Sequence, residues 1–196
     1  MPIPAFTIDG ILPPYVGLAG PGGAPQDMSP YEVTAVEVVS TLGLTPQRKG
    51  ILRGWLQHRA ALRAIGFDRG FQWLDGSFVE DKHPNDLDIV TFFYRPPAVQ
   101  DMTALAHLLR ANLGVFGRHQ VKASYMLDFF PVDLNGSAEA LVSLTRYLLA
   151  LFSHRRGDGV WKGMLQVRLE DLADDAAALA LLGPDPAATI AGGVNP

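Results

Sequence analysis

The residues best placed to do chemistry are the two carboxylates of Asp86-Leu87-Asp88, with eight residues between Ser77 of a Gly76-Ser77 pair and Asp86. In a β-strand, residues i and i+2 share a face, so Asp86 and Asp88 project together, ~7 Å apart along the backbone, while Leu87 points into a core. Two like charges on one face disfavour joint ionisation unless a cation joins them. Mg²⁺ suits such a pair, because it takes one or two carboxylates and keeps positions open for substrate phosphates. The backbone N–H groups and hydroxyl of a Gly-Ser turn can donate to those phosphates. The spacing therefore predicts a combined phosphate and metal site. Asp128 and Asp133 lie in a third strand-like run, 124–134. If that strand lies beside Asp86-Leu87-Asp88, Asp128 sits about 5 Å away across the ladder. Asp133 has the opposite parity and reads as a strand-end cap.

These residues need elements to hold them. The run Phe71-Gln72-Trp73 leads as a strand into the turn, and Leu87 to Tyr94 is apolar on both faces beyond Asp88, hence a central strand. Pro131 marks the third strand as an edge or bulge. Ser29-Pro30-Tyr31-Glu32 predicts a helix start with Ser29 as cap and Glu32 closing a capping box; Val33, Val36, Val39 and Leu42 form its inward stripe and Gly43 its end. Thr45-Pro46 starts a second helix, with Ile51, Leu52, Trp55, Leu62 and Ile65 inward up to Gly66. Further helices are expected from Met102 to Leu113 behind Asp101, from Ser137 to about Ser153, and from Glu170 to Leu182. A short strand or turn lies within 159–168. Strands interleaved with helices predict a mixed α+β fold. The Pro- and Gly-rich stretch 1–28 reads as an irregular arm, 29–183 as a single domain, and 184–196 as a flexible tail.

At 196 residues and net charge −4, the chain has a core's worth of apolar residues and too little basic character for broad nucleic-acid binding. It contains no cysteine, which excludes disulfides, thiolate metal sites and a Cys nucleophile. No signal peptide or membrane span is apparent, and a cytoplasmic location is expected. Lys122, Lys162 and His83 read as solvated. Arg155-Arg156 reads as compensation of a helix C-terminus. Trp55, Trp73 and Trp161 read as core, and Asp75 as a turn cap beside the site.

Gly76-Ser77, then Asp86-Leu87-Asp88, then Asp128 on a later strand resembles the nucleotidyltransferase superfamily that includes polymerase beta. The resemblance implies that Gly76 and Ser77 hold nucleotide phosphates and that Asp86, Asp88 and Asp128 bind two Mg²⁺ (or Mn²⁺) ions. Lys82 and Lys122 would then neutralise phosphate charge. A closer likeness, covering most of the chain, is to small bacterial nucleotidyltransferase-like proteins of unassigned function. It is carried by Ile8-Asp-Gly-Ile-Leu-Pro-Pro14, Ser29-Pro30, Phe71 to Asp81, the Asp86-Leu87-Asp88 strand, Lys122 with Asp128, and Lys162-Gly163. The turn continues here as Phe78-Val79-Glu80-Asp81, where many active relatives carry a small residue and then Arg-Gly.

The expected activity is transfer of a nucleoside monophosphate from an NTP to a protein, an RNA end such as a tRNA, or a small molecule. The alternative is a non-catalytic, antitoxin-like regulatory module on the same fold, motivated by Glu80-Asp81 and the short chain. An Asp-x-Asp glycosyltransferase ranks last, because little more than two helices and one strand precede the motif.

Overall fold

The computed structural model describes residues 2–99 and 101–184. Five strands form one mixed sheet in the order β1-β5-β2-β3-β4. They are β1 (Tyr31–Glu32), β2 (Gly70–Asp75), β3 (Leu87–Phe93), β4 (Leu127–Asp133) and β5 (Leu165–Arg168). The helices are α1 (Ala35–Leu42), α2 (Pro46–Ala64), α3 (Met102–Ala111), α4 (Leu113–Phe116), α5 (Arg118–Tyr125), α6 (Ala138–Phe152) and α7 (Leu172–Leu181). The fold is therefore α+β, as the alternating pattern predicts.

Strand parity divides the core in two. Leu74, Leu87, Ile89, Phe93, Leu127, Phe129, Leu165 and Val167 face a layer built from α1, α2, α5 and α7. Trp73, Val90, Phe92, Val132 and Met164 face the other way, against Leu148 and Phe152 of α6. Asp88 and Asp128 have the parity of this second face. β2 and β3 run antiparallel with Asp75 opposite Asp88, and β3 and β4 run parallel with Asp88 opposite Asp128. Pro131 sits on β4, the edge strand, where its missing N–H costs no ladder bond.

Three local expectations need correction. The first helix does not start at Ser29. Ser29 Oγ accepts the Met164 N–H at 2.7 Å, and Tyr31 and Glu32 pair with β5 instead. The cap falls at Thr34, whose hydroxyl accepts the Glu37 N–H at 3.1 Å while Glu37 accepts the Thr34 N–H at 2.8 Å. That second capping box, Thr34-x-x-Glu37, wins because strand pairing claims the residues of the first. The inward stripe of α1 is accordingly Ala35, Val38, Val39 and Leu42. Second, residues 118–125 form a helix that ends in Met126 at a left-handed φ of 57°. Ser124 and Tyr125 therefore precede the third strand rather than belong to it. Third, Trp161 is 41 % exposed and tilts against Tyr15, whereas Trp55 and Trp73 are core.

The caps at Thr45, Asp101 and Ser137 form as expected, each side chain accepting a backbone N–H three residues on. The N-terminal arm packs along the turn that follows β2. Leu12 N–H donates to Val79 O, Asp81 N–H to Gly10 O, and Gly163 N–H to Leu12 O. The predicted tail, apart from Pro184, lies outside the described residues. Among those described, no helix is long and apolar enough to cross a membrane.

Candidate functional site

At the end of β2 the chain turns at Gly76, which takes φ +73° and opens a short 3₁₀ turn, Gly76–Val79. A Cβ at Gly76 would lie 1.7 Å from Asp88 Oδ2, so only glycine lets that carboxylate rest against the turn. Arg48, buried on α2, ties down the loop that follows. Its guanidinium donates to the carbonyls of Phe78 (2.8 Å), Glu80 (2.6 Å) and Lys82 (3.1 Å) and lies over the Phe78 ring.

One cavity of about 250 Å³ opens above these elements. It brings together Gly76, Ser77, Lys82, Asp86, Asp88, Lys122 and Asp128, every site residue expected from the sequence. Asp86 precedes β3 by one residue rather than opening it, yet still reaches this cavity. The Ser77 hydroxyl has no hydrogen-bond partner among the described residues. Asp133 stands apart: it receives Arg95 and caps Asn135 N–H at 2.9 Å, the strand-end role its parity predicts.

The three aspartates differ sharply in their company. Arg118 grips Asp128 with two hydrogen bonds, Nε to Oδ1 at 2.6 Å and Nη2 to Oδ2 at 2.7 Å. These bonds hold the Asp128 carboxyl below the usual range. Lys122 Nζ lies 2.6 Å from Asp86 Oδ2. Asp88 has no ion-pair partner among the described residues. Burial, then the charges of Asp86 and Asp128, push its carboxyl up to about 6, against the opposing pull of Lys162 and Arg156.

Lys162 corrects another expectation. It is 2 % exposed rather than solvated. Its ammonium donates to Gly76 O at 2.8 Å and lies 3.0 Å from Asp75 Oδ1 and 3.3 Å from Glu80 Oε1. Glu80 also meets Lys82 at 2.6 Å, so its charge is met from both sides. Glu80 is thus internally neutralised, and Asp81 is exposed. Asp75 is not the turn cap expected: its side chain makes no cap hydrogen bond, and it is instead the buried end of this cluster. Burial raises its carboxyl to about 7 even with Lys162 lowering it.

Four contributors escaped sequence reasoning: Arg48, Arg118, Arg156 and Lys162. Arg118 and Lys122 are four apart on α5, and recognition of that helix would have put both on one face. Arg155 pairs with Asp158 and donates to Asp9 O, but Arg156 lines the cavity.

Asp86, Asp88 and Asp128 offer the hard oxygen donors that Mg²⁺ or Mn²⁺ prefers, around an open space. Among the described residues, no three His, Cys, Asp or Glu groups converge as a ready metal cage. Two of the three carboxylates are instead paired with cations of α5. The donor chemistry fits a divalent ion, provided Arg118 and Lys122 yield.

Residues 4–168 match a family of unknown function, DUF6932, and the chain belongs to that family. No curated protein and no solved structure matches it.

Proposed function

We propose that the protein is a Mg²⁺-dependent nucleotidyltransferase that moves a nucleoside monophosphate from an NTP to a protein, RNA-end or small-molecule acceptor. The observation that carries this reading is the register of Asp88 with Asp128 on adjacent parallel strands, beside the Gly76-Ser77 turn and in one cavity with Asp86. In the reaction an acceptor oxygen forms a bond to the α-phosphorus, the bond from that phosphorus to the β-phosphate bridge breaks, and pyrophosphate leaves. Asp86, Asp88 and Asp128 would hold Mg²⁺, which would supply Lewis-acid stabilisation of the transferring phosphoryl group and ease passage of the acceptor's hydroxyl proton to water. The chain's own part is positioning and charge. The N–H groups of the turn and the Ser77 hydroxyl orient phosphate oxygens. Lys82 and Lys122 offset their charge. Lys162, bonded to Gly76 O, fixes the turn against its neighbours.

The test is label transfer from each α-³²P-labelled NTP, with Mg²⁺ or Mn²⁺, into lysate separated into protein, RNA and small molecules. Wild type is expected to label one class, and Asp86→Asn and Asp88→Asn each to lose about 10²–10³-fold of it. Equal labelling by wild type and both variants would sink the assignment.

A second reading is a regulatory module that binds nucleotide without turnover. It is favoured by the pairing of Asp86 and Asp128 with Lys122 and Arg118, which satisfies both carboxylates without metal. It predicts nucleotide retention with no carboxylate-dependent transfer into any fraction.

A further inference from the structure

The face of α5 that carries Arg118 and Lys122 holds two of the three site carboxylates at ion-pair distance. The cations are solvent-side, 59 % and 54 % exposed, while Asp128 and Asp86 are only 14 % and 20 % exposed. Each pair is therefore a long, solvent-side cation laid over a more buried acid from outside. While it holds Asp128, the Arg118 guanidinium also lies over the Phe130 ring, 4.9 Å from its centre, so the ring can keep part of its contact when the carboxylate is taken. Exposed single-contact pairs such as Lys122–Asp86 contribute little, whereas the bidentate Arg118–Asp128 pair is the firmer of the two and the one a metal must work harder to displace.

The charge balance of the cavity adds a second argument. Asp86, Asp88 and Asp128 bring three negative charges; Arg118 and Lys122 offset two, and Arg156, whose charge reaches Asp88 and Asp128, stands without an ion-pair partner among the described residues. Glu80, Asp75, Lys82 and Lys162 form a separate internally paired group. The carboxylate wall and its three cations are near neutral as they stand. Adding a divalent ion leaves excess positive charge that needs an anion.

We propose, on the basis of the nucleotidyltransferase reading, that Arg118 and Lys122 are exchangeable cations: they hold Asp128 and Asp86 when no metal is bound and clamp the polyphosphate once a divalent ion takes those carboxylates. The two residues thus oppose the metal when it comes alone and reward it when it arrives with polyphosphate. This makes metal and polyphosphate binding mutually dependent, with Arg156 as a further contact for the anion.

The experiment measures two affinities by calorimetry, Mn²⁺ alone and inorganic tripolyphosphate in saturating Mg²⁺. It compares wild type, Arg118→Gln, Lys122→Gln, the double variant and Asp88→Asn. Both altered cations are exposed, so the fold is expected to survive. The expected result is an inversion of sign: the double variant binds Mn²⁺ about three- to fivefold more tightly and tripolyphosphate at least about tenfold more weakly. Asp88→Asn should lose Mn²⁺ binding. If Mn²⁺ binds and needs Asp88 but the variants bind it no better than wild type, the exchange falls while the metal site stands. The exchange falls in the same way if the variants hold tripolyphosphate as well as wild type does. If wild type binds no Mn²⁺ even with tripolyphosphate, both the exchange and the metal-dependent activity fall together.

Discussion

The Asp88 carboxylate occupies the space in which a side chain at Gly76 would begin, with Oδ2 1.7 Å from the ideal Cβ position. The turn that would cradle phosphate and the acid that would bind metal are thus a single steric unit. Glycine is required at position 76 twice over, for its positive φ and for this contact.

Gly76→Ala should therefore destabilise the fold by about 2–4 kcal/mol, from left-handed strain together with overpacking. In Gly76→Ala/Asp88→Ala the steric part should return and the strain remain. Urea unfolding of the four members of this cycle checks it, with a coupling energy above ~1 kcal/mol expected. Strict additivity would mean that the two residues do not share the space.

Lys162→Met should cost about 3–5 kcal/mol, because it leaves Asp75 and Glu80 buried without their shared cation. Adding Glu80→Gln should recover part of the loss. The penalty should also depend on pH. The Asp75 carboxyl already sits at about 7, far above its ordinary 3.8, so folding favours its protonated form. Its stability penalty is present above about pH 7 and disappears as pH falls toward 4. Without Lys162 that carboxyl is pushed higher still, so the Asp75 part of the gap between Lys162→Met and wild type should open only above about pH 7, where wild type ionises Asp75 and the variant does not, and should be absent below it in urea midpoints.

His58 titrates in the opposite sense. It is fully buried, holds Val115 O at 2.8 Å through Nε2, and has Nδ1 without a partner among the described residues. Burial lowers its pKa from 6.5 to about 4. The folded state thus keeps it neutral where the unfolded chain would protonate it. The stability involved is complete above pH 6.5 and is lost as pH falls through 4, a change of about 3 kcal/mol. In His58→Phe this limb should vanish, so the difference in unfolding free energy from wild type should change between pH 7 and 4.5.

Gly54→Ala probes the seat of α5. A Cβ at Gly54 would meet Tyr125 O at 2.2 Å, so the C-terminal end of α5 must shift. Destabilisation of about 1–3 kcal/mol is expected. Tripolyphosphate affinity in Mg²⁺ should fall as well, because Lys122 lies one turn before Tyr125.

The shared face of Asp86 and Asp88 was legible because a two-residue period fixes which side chains share a face, while the gathering of Gly76, Ser77 and Asp128 around them followed from the resemblance rather than from the period. The same rule separated Asp128 from Asp133. Arg118 was hidden because α5 is only eight residues long with Val121 as its one buried member, too little for a helical period to register. Lys162 was hidden for a different reason. Its burial depends on Asp75 and Glu80, which are more than 80 residues away in sequence, and no local pattern announces a counter-charge. The start of α1 was misplaced because Ser29-Pro30 carries a strong local cap signal that pairing with β5 overrides.

The parallel pairing of β1 with β5 joins positions 31 and 165, and Lys162 arrives just ahead of β5. During synthesis at ~5–20 residues per second, β2, β3 and β4 can assemble seconds before that segment emerges. Throughout that interval the acid at 75 lacks its cation and the acid at 80 has only Lys82 to meet it. The ammonium at 162 arrives just ahead of the last strand of the sheet, so that strand also brings the counter-charge that completes the inner wall of the cavity.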